Sequence, residues 1–158
     1  MNVMKKLKNF FLFLFVTFMG LGLGSCKDDD DEIGNVGDLY GVWEPIHTEG
    51  WEMETGKKQN WDKDVNAASD GSDYNRIAFY EDGTYASWWY QNGWKVDIDR
   101  SKGTWQLKGN KITGSNEEYD GETTVVSLSA TQLIMEVYEK DDEEDMEFYE
   151  KITYKKVS

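Results

Sequence analysis

The sequence lacks most of the side chains that carry catalysis and metal binding. His47 is the only histidine and Cys26 the only cysteine among 158 residues. The chain therefore has too few of these residues for a zinc site with three or four His or Cys ligands, and it offers no recognisable nucleophilic triad. Because the chain has 31 Asp and Glu residues, pairs of carboxylates do not by themselves indicate glycoside chemistry. We predict that the protein is not an enzyme and that His47 is an ordinary strand or loop residue.

Proline, helical periodicity and positive charge are also scarce. Pro45 is the only proline, so few strands are barred from central positions in a sheet. No apolar pattern with helical spacing continues beyond two turns. The formal net charge of −14 repels nucleic acid and anionic lipid head groups, whereas calcium and cationic partners remain compatible with it.

The first 25 residues have the pattern of an export signal. Lys5, Lys6 and Lys8 give a positive start, and an apolar run follows from Phe10 to Leu23. This run is shorter than a typical membrane span and fits the apolar region of a signal peptide. Residues 1–25 are therefore predicted to be removed on export.

The signal ends on Leu23-Gly24-Ser25-Cys26. This ending resembles the lipobox of bacterial lipoproteins, in which an aliphatic residue and two small residues precede the cysteine. The resemblance implies lipidation of the Cys26 thiol and anchoring in the outer membrane. Two acyl chains are enough for stable anchoring, at ~0.8 kcal/mol per buried CH₂. The alternative is ordinary secretory cleavage beside an incidental cysteine.

A charged run follows the cysteine directly: Lys27, Asp28, Asp29, Asp30 and Asp31. It resembles the Lys-then-acidic export signal of Bacteroidetes lipoproteins, which implies exposure at the cell surface. Like charges also repel one another and keep a linker extended, so residues 26–38 are predicted to form an acidic tether. The two roles are compatible.

Residues 39–158 have the pattern of short strands between tight turns. Four dipeptides give turn signals: Asp82-Gly83, Asn92-Gly93, Gly109-Asn110 and Asp120-Gly121. Eight or nine antiparallel strands joined in this way predict an all-β barrel or sandwich.

Apolar residues alternate along the later strands. Val126 and Leu128 are predicted to share one face, as are Leu133, Met135 and Val137. The last strand places four apolar residues on one face: Met146, Phe148, Ile152 and Tyr154. Glu150 falls on this apolar face, which predicts that it lies near a barrel mouth or inside a polar cavity.

The segment Leu39-Tyr40-Gly41-Val42-Trp43 resembles the Gly-x-Trp opening of lipocalins, whose Trp packs across the closed end of the barrel. The order of later motifs, such as Asp82-Gly83-Thr84-Tyr85 and Gly103-Thr104-Trp105, is similar to that of lipocalin-like domains in Bacteroidetes lipoproteins. The resemblance implies an antiparallel up-and-down barrel of about eight strands. Residues 44–74 depart from it, because they are longer and more polar than a first hairpin. A helix or flap in this segment would alter the mouth of the barrel.

Aromatic residues cluster around the Asn92-Gly93 turn. Adjacent strand residues point to opposite faces, so Trp88 and Trp89 cannot both enter one core. Trp89 is predicted to point inward, which leaves an exposed set for ligand binding: Trp88, Tyr90 and Trp94. Alternatively, residues 44–74 pack over these rings.

Five oxygen donors follow the spacing of a calcium loop: Asp62, Asp64, Asn66, Asp70 and Asp73. Two positions depart from that pattern, because Ala67 stands where the sharp turn favours glycine and Asp73 is shorter than the usual Glu. The segment is therefore either a calcium site or a polar surface loop. No other cofactor is expected.

The lipocalin resemblance implies binding, without chemical change, of a small apolar, amphipathic or carbohydrate ligand. The alternative is a protein-interaction or inhibitor module whose barrel is filled with side chains. A cavity lined by apolar groups favours the first function, and a packed interior beside exposed tryptophan favours the second.

Overall fold

The architecture of the chain is known from a computed structural model. It describes residues 33–66, 73–115, 120–141 and 145–158, and the side chains of all of these except 97–101 and 120. The predicted signal peptide, Cys26 and the charged run from Lys27 to Asp31 lie outside the described residues. Within the described ranges, no helix has the length and apolar character needed to cross a membrane.

One short helix and nine strands make up the described chain. The helix is α1 (Val36–Leu39), and the strands are β1 (Gly41–Glu54), β2 (Lys57–Asp64), β3 (Asp73–Phe79), β4 (Thr84–Gln91), β5 (Trp94–Lys108), β6 (Lys111–Ser115), β7 (Asp120–Leu128), β8 (Gln132–Asp141) and β9 (Met146–Lys156).

The strands close into an eight-stranded antiparallel barrel. Strands β3 to β9 each pair with the next in sequence, and β1 pairs with both β3 and β9 to complete the ring. Strand β2 pairs with the second half of β1 and is not part of this closed ring. The predicted all-β, up-and-down, lipocalin-like barrel is confirmed.

Three of the turn signals lie at hairpins. Gly83, Gly93 and Gly109 all adopt positive φ angles, of 78°, 76° and 59°, which glycine accepts without a steric penalty. The fourth signal was placed wrongly. Asp120-Gly121 belongs to β7 itself, where Gly121 pairs with Gly114 of β6.

The described part of residues 44–74 forms strands and contains no helix. Residues 44–54 continue β1, and residues 57–64 return as β2 after a turn with positive φ at Thr55 and Gly56. The second half of β1 pairs with β2 on one edge and with β9 on the other. This double pairing keeps a polar segment extended despite its weak apolar pattern.

The N-terminal segment and Trp43 seal one end of the barrel. Trp43 and Leu39 are fully buried, and the indole Nε1 of Trp43 donates to the carbonyl oxygen of Leu39 at 2.8 Å. At Gly41, a Cβ would lie 2.3 Å from the carbonyl oxygen of Ser158, so glycine is required for the close approach. These contacts match the role that the resemblance implies for Gly-x-Trp. Ile33 also packs against the core, although it falls in the predicted tether.

A β-bulge contradicts the prediction that Val126 and Leu128 share one face of their strand. Val125 is 1% exposed and Val126 is 46% exposed, because the register of β7 against β8 shifts between Val125 and Ser127. One extra residue in a strand reverses the faces of every residue beyond it. The predicted face of Leu133 and Met135 is confirmed, since both are buried.

Candidate ligand-binding cavity

The barrel encloses a cavity of about 290 Å³. At about 30 Å³ per water, this volume has room for about ten water molecules, or for an organic molecule of similar size. An eight-stranded barrel is wide enough either to be filled by its own side chains or to hold one small ligand. The interior of this barrel has unfilled space of this size, which favours the small-ligand function over the filled-barrel alternative.

Aromatic and aliphatic side chains from six strands form the apolar part of the cavity wall: Ile77, Phe79, Tyr85, Trp105, Ile112, Met135, Ile152 and Tyr154. The rings of Phe79 and Trp105 meet edge to face, with centroids 5.4 Å apart. Burial raises the pKa of the Tyr154 hydroxyl, so this group stays neutral in the cavity wall. Such a surface binds an apolar group by excluding water from it.

The polar part of the wall carries charge of one sign. Four glutamate residues contribute to the wall: Glu122, Glu136, Glu139 and Glu150. No Lys or Arg is among the described lining residues. The strand register places the side chains of Glu139 and Glu150 on the inward face, whereas those of Glu122 and Glu136 are on the outward face. Two of the four are held by neighbours on the barrel. Glu122 forms an ion pair with Lys111, and Glu136 accepts a hydrogen bond from the hydroxyl of Tyr149 at 3.1 Å.

Glu150 lies in the cavity wall, as the break in the apolar pattern of the last strand predicted. Its Oε1 accepts a hydrogen bond from the hydroxyl of Thr48 at 2.6 Å, and that hydroxyl accepts one from the Trp61 indole Nε1 at 3.2 Å. Burial raises the pKa of Glu150; the Thr48 hydrogen bond and the charge of Lys63 only partly oppose this. The carboxyl is therefore fixed in position while its ionised form is poorly solvated.

Glu139 is the second acidic group with a perturbed environment. It follows Val137 on the inward face of β8, and its register partner on β9 is Phe148. Burial alone raises the pKa of Glu139, since no described basic group compensates its charge. The alternation of Leu133, Met135 and Val137 extends to this position, so the same pattern that predicted Glu150 could have found it.

Gly50 and Trp61 shape the wall next to Glu150. The two residues are register partners, and a Cβ at Gly50 would lie 2.7 Å from Cζ2 of the Trp61 ring. Glycine thus lets the Trp61 indole lie against β1. The ring centroids of Trp61 and Phe148 are 5.7 Å apart there. Sequence reasoning missed this role because it depends on the pairing of β2 with β1.

The predicted aromatic set does not line the cavity. Trp94 is 79% exposed, whereas Trp88 and Tyr90 are half-buried. Tyr90 stacks on Tyr74 with ring centroids 5.2 Å apart, and the guanidinium of Arg76 lies 4.5 Å from the Tyr90 ring. Ligand binding by Trp88, Tyr90 and Trp94 therefore remains a prediction about another surface of the barrel.

The alternation between Trp88 and Trp89 follows from the strand register. Trp89 pairs with Asn75, which lines the cavity, and Trp88 pairs with Arg76. Because directly paired residues share a face, Trp89 is on the cavity side of the sheet and Trp88 on the outer side. Both indoles are half-buried, so neither is a freely exposed ring.

The predicted calcium donors are spread over two strands. Asp62 and Asp64 lie on β2, and both contact His47: Asp64 Oδ1 is 2.9 Å from Nδ1, and Asp62 Oδ1 is 3.3 Å from Nε2. The hydrogen bond that His47 Nδ1 donates to the Asp64 carboxylate raises the pKa of His47. Asn66 follows β2 and Asp73 begins β3, while the intervening residues 67–72 lie outside the described ranges. A calcium site at these residues remains a prediction.

His47, Glu49 and Asp62 could offer three ligand atoms to one metal ion, since those atoms lie within 4.8 Å of one another. The three side chains are partly or fully exposed, and Glu49 already forms an ion pair with Lys151 at 2.9 Å. Such surface groups are commonly paired with no metal involved.

The fold and the cavity define a small calyx-shaped β-barrel, sealed at one end by Trp43 and hollow inside. The lipocalin-like domain family model matches residues 39–135, and the chain belongs to that family. No curated protein matches the sequence.

Solved structures of bovine odorant-binding protein resemble the chain. The protein from bovine nasal mucosa is 18% identical with a TM-score of 0.44, and the match covers 79% of this chain and 75% of that one. Its complex with undecanal gives the same values. The complex with a selenium-containing odorant is 17% identical, again with a TM-score of 0.44, and the match covers 78% and 76% of the two chains.

Proposed function

We propose that the protein binds a small amphipathic molecule in the barrel cavity without changing it chemically. The observation that carries this proposal is the cavity of about 290 Å³, whose wall combines a broad apolar surface with a few carboxyl groups. Pockets of this composition bind ligands by burying an apolar body and orienting a polar group. The apolar wall favours a ligand with a hydrocarbon or aromatic part over an unsubstituted sugar.

Gly114 offers a way to close the cavity without removing any existing contact. It lies on the inward face of β6, and a Cβ there would meet the Tyr85 ring at 3.5 Å, an ordinary contact distance. Gly114→Leu is therefore expected to fill part of the cavity and to abolish binding of 1-aminonaphthalene, an apolar fluorophore that is uncharged at neutral pH and consists of a single naphthalene ring system with one amino group. Stability should not fall, because glycine inside a strand costs about 0.5–1 kcal/mol relative to alanine.

The matched control is Thr113→Leu, on the outward face of the same strand. Fluorescence titration should show probe binding by the unaltered protein and by the control, and little or none by Gly114→Leu. If the unaltered protein does not bind the probe, or if Gly114→Leu binds it equally well, ligand binding in the cavity is refuted.

We further propose that Cys26 carries the lipid anchor and that the run from Lys27 to Asp31 directs the protein to the outer face of the outer membrane. The lipobox-like ending and the charged run support this proposal. The position of Ile33 and α1 at the sealed end of the barrel is compatible with it, because an anchor on this side leaves the cavity accessible.

Cys26→Ser should remove the protein from the membrane fraction, because acyl transfer requires the thiol. Detergent phase partitioning measures the change, with Ser25→Ala as a control that keeps a small residue before the cysteine. Partitioning of Cys26→Ser into the detergent phase at the level of the unaltered protein would show that Cys26 is not the anchor.

A further inference from the structure

The charges around the cavity select among amphipathic ligands. Of the four glutamates in the wall, Glu122 and Glu136 have outward-facing side chains, which contact Lys111 and Tyr149. Glu139 and Glu150 have no ion-pair partner within the described ranges, and both face the cavity. The charge of Lys63 only partly offsets these two carboxyl groups, so the interior favours a positive charge over a negative one.

Glu139 and Glu150 are close enough to act together. Val137 pairs directly with Glu150 and Glu139 pairs with Phe148, so the two carboxyl-bearing residues are diagonal neighbours on one face of the β8–β9 pair. Diagonal neighbours lie about 7–8 Å apart, and glutamate side chains are long enough to converge on one group between them. The hydrogen bond from Thr48 fixes the Glu150 carboxyl on one side of this space.

We propose that the ligand is an organic amine, whose ammonium group lies between Glu139 and Glu150 and whose apolar body lies against Trp105, Ile112 and Phe79. This inference rests on the proposed function, since it names the ligand class for the same cavity. Burial leaves both carboxylates poorly solvated, and a cation at this place would restore the stabilisation lost from water. A carboxylate ligand would instead meet charges of its own sign.

The cavity volume limits the size of the amine. About 290 Å³ accommodates about ten atoms other than hydrogen, judged by the volume of a water molecule. A primary amine on a short alkyl chain or a single aromatic ring meets this limit. Octylamine is a suitable probe, because 1-octanol and octanoate have the same chain with a neutral and an anionic head.

The three probes should compete with 1-aminonaphthalene to different extents at neutral pH. Octylamine is expected to bind about tenfold or more tightly than 1-octanol, because hydrogen bonds between charged groups are stronger than those made by a neutral hydroxyl. Octanoate should be the weakest of the three. The comparison uses the unaltered protein, so its outcome does not depend on whether a variant folds.

Glu139→Gln and Glu150→Gln test the two carboxyl groups directly. Each is expected to weaken octylamine binding about fivefold or more and to leave 1-octanol binding unchanged, since the apolar contacts remain. Glu147→Gln is the matched control, because it removes the same net charge from the outward face of β9. Glu147 precedes Phe148, which faces the cavity. Retained 1-octanol binding also shows that each variant is folded.

Equal affinities for octylamine and 1-octanol would overturn the amine inference and leave the cavity-binding proposal in place. An equal loss in Glu147→Gln would also overturn it, because the preference would then reflect overall charge. If the neutral fluorophore and all three probes fail to bind the unaltered protein, the proposed function itself fails.

Discussion

Trp43→Ala is expected to lower the free energy of unfolding by about 3–5 kcal/mol, the usual cost of deleting a large buried ring. Trp43 is fully buried at the sealed end, in one core cluster with Phe79 and Tyr154. Its removal leaves a void next to the cavity and frees the carbonyl oxygen of Leu39, which accepts the Trp43 Nε1 hydrogen bond. Urea unfolding monitored by circular dichroism measures the loss.

Trp94→Ala provides the control for this truncation. The Trp94 side chain is 79% exposed, so the same substitution should change stability by no more than about 0.5 kcal/mol. Similar losses in the two variants would contradict the assignment of Trp43 to the seal of the barrel.

Arg76→Met is expected to destabilise the protein by about 2–4 kcal/mol. Glu44 is only 4% exposed, and it forms ion pairs with Arg76 and with Lys155 at its two carboxylate oxygens. Removing one partner of a buried pair costs about 3–5 kcal/mol, and the value here is reduced because Arg76 is partly exposed and Lys155 remains. Chemical unfolding at neutral pH measures the difference.

The pH dependence of this loss follows from Glu44. Burial opposes its ionisation, but hydrogen bonds from Lys155 and Arg76 outweigh burial and lower the pKa of the carboxyl. A carboxyl group whose pKa is lower in the folded state than in the unfolded state stabilises the fold at pH values above its unfolded-state pKa. This stabilisation is lost as the pH falls through its folded-state pKa. The gap between Arg76→Met and the unaltered protein should therefore narrow below about pH 4.

Lys111→Met is the control for the loss of an ion pair. Lys111 and Glu122 are about half exposed, so breaking their pair should cost less than about 1 kcal/mol. If this variant and Arg76→Met lose equal stability at neutral pH, burial of Glu44 is not what makes its pairing important.

The strand pattern and the closed end could be predicted because both depend on local signals. Glycine at the turns fixed three hairpins, and the motif ending in Trp43 indicated the seal. The three register shifts of the described strands could not be predicted in this way. They lie between Pro45 and His47, between Ser87 and Trp89, and between Val125 and Ser127. Nothing in a single strand's composition reports these shifts, because they arise from pairing.

In the candidate site too, features of a single strand could be predicted and features that depend on strand pairing could not. Glu150 could be predicted because a charge interrupts an apolar alternation within one strand. Its partner Thr48 is 102 positions away in sequence, and Trp61 reaches the same place from a strand outside the barrel. Such convergence depends on the sheet register, which the sequence does not show directly. The aromatic cluster around Trp88 therefore predicted ligand binding at a surface away from the cavity.

The approach of the chain to the sealed end also determines how an anchored barrel would be oriented. Ile33 packs on the core there, and six residues separate it from Cys26, a connection that spans about 25 Å even when fully extended. A lipid on Cys26 would hold the barrel with its sealed end towards the membrane. The opposite end would then exchange ligand with the surrounding water and not with the bilayer.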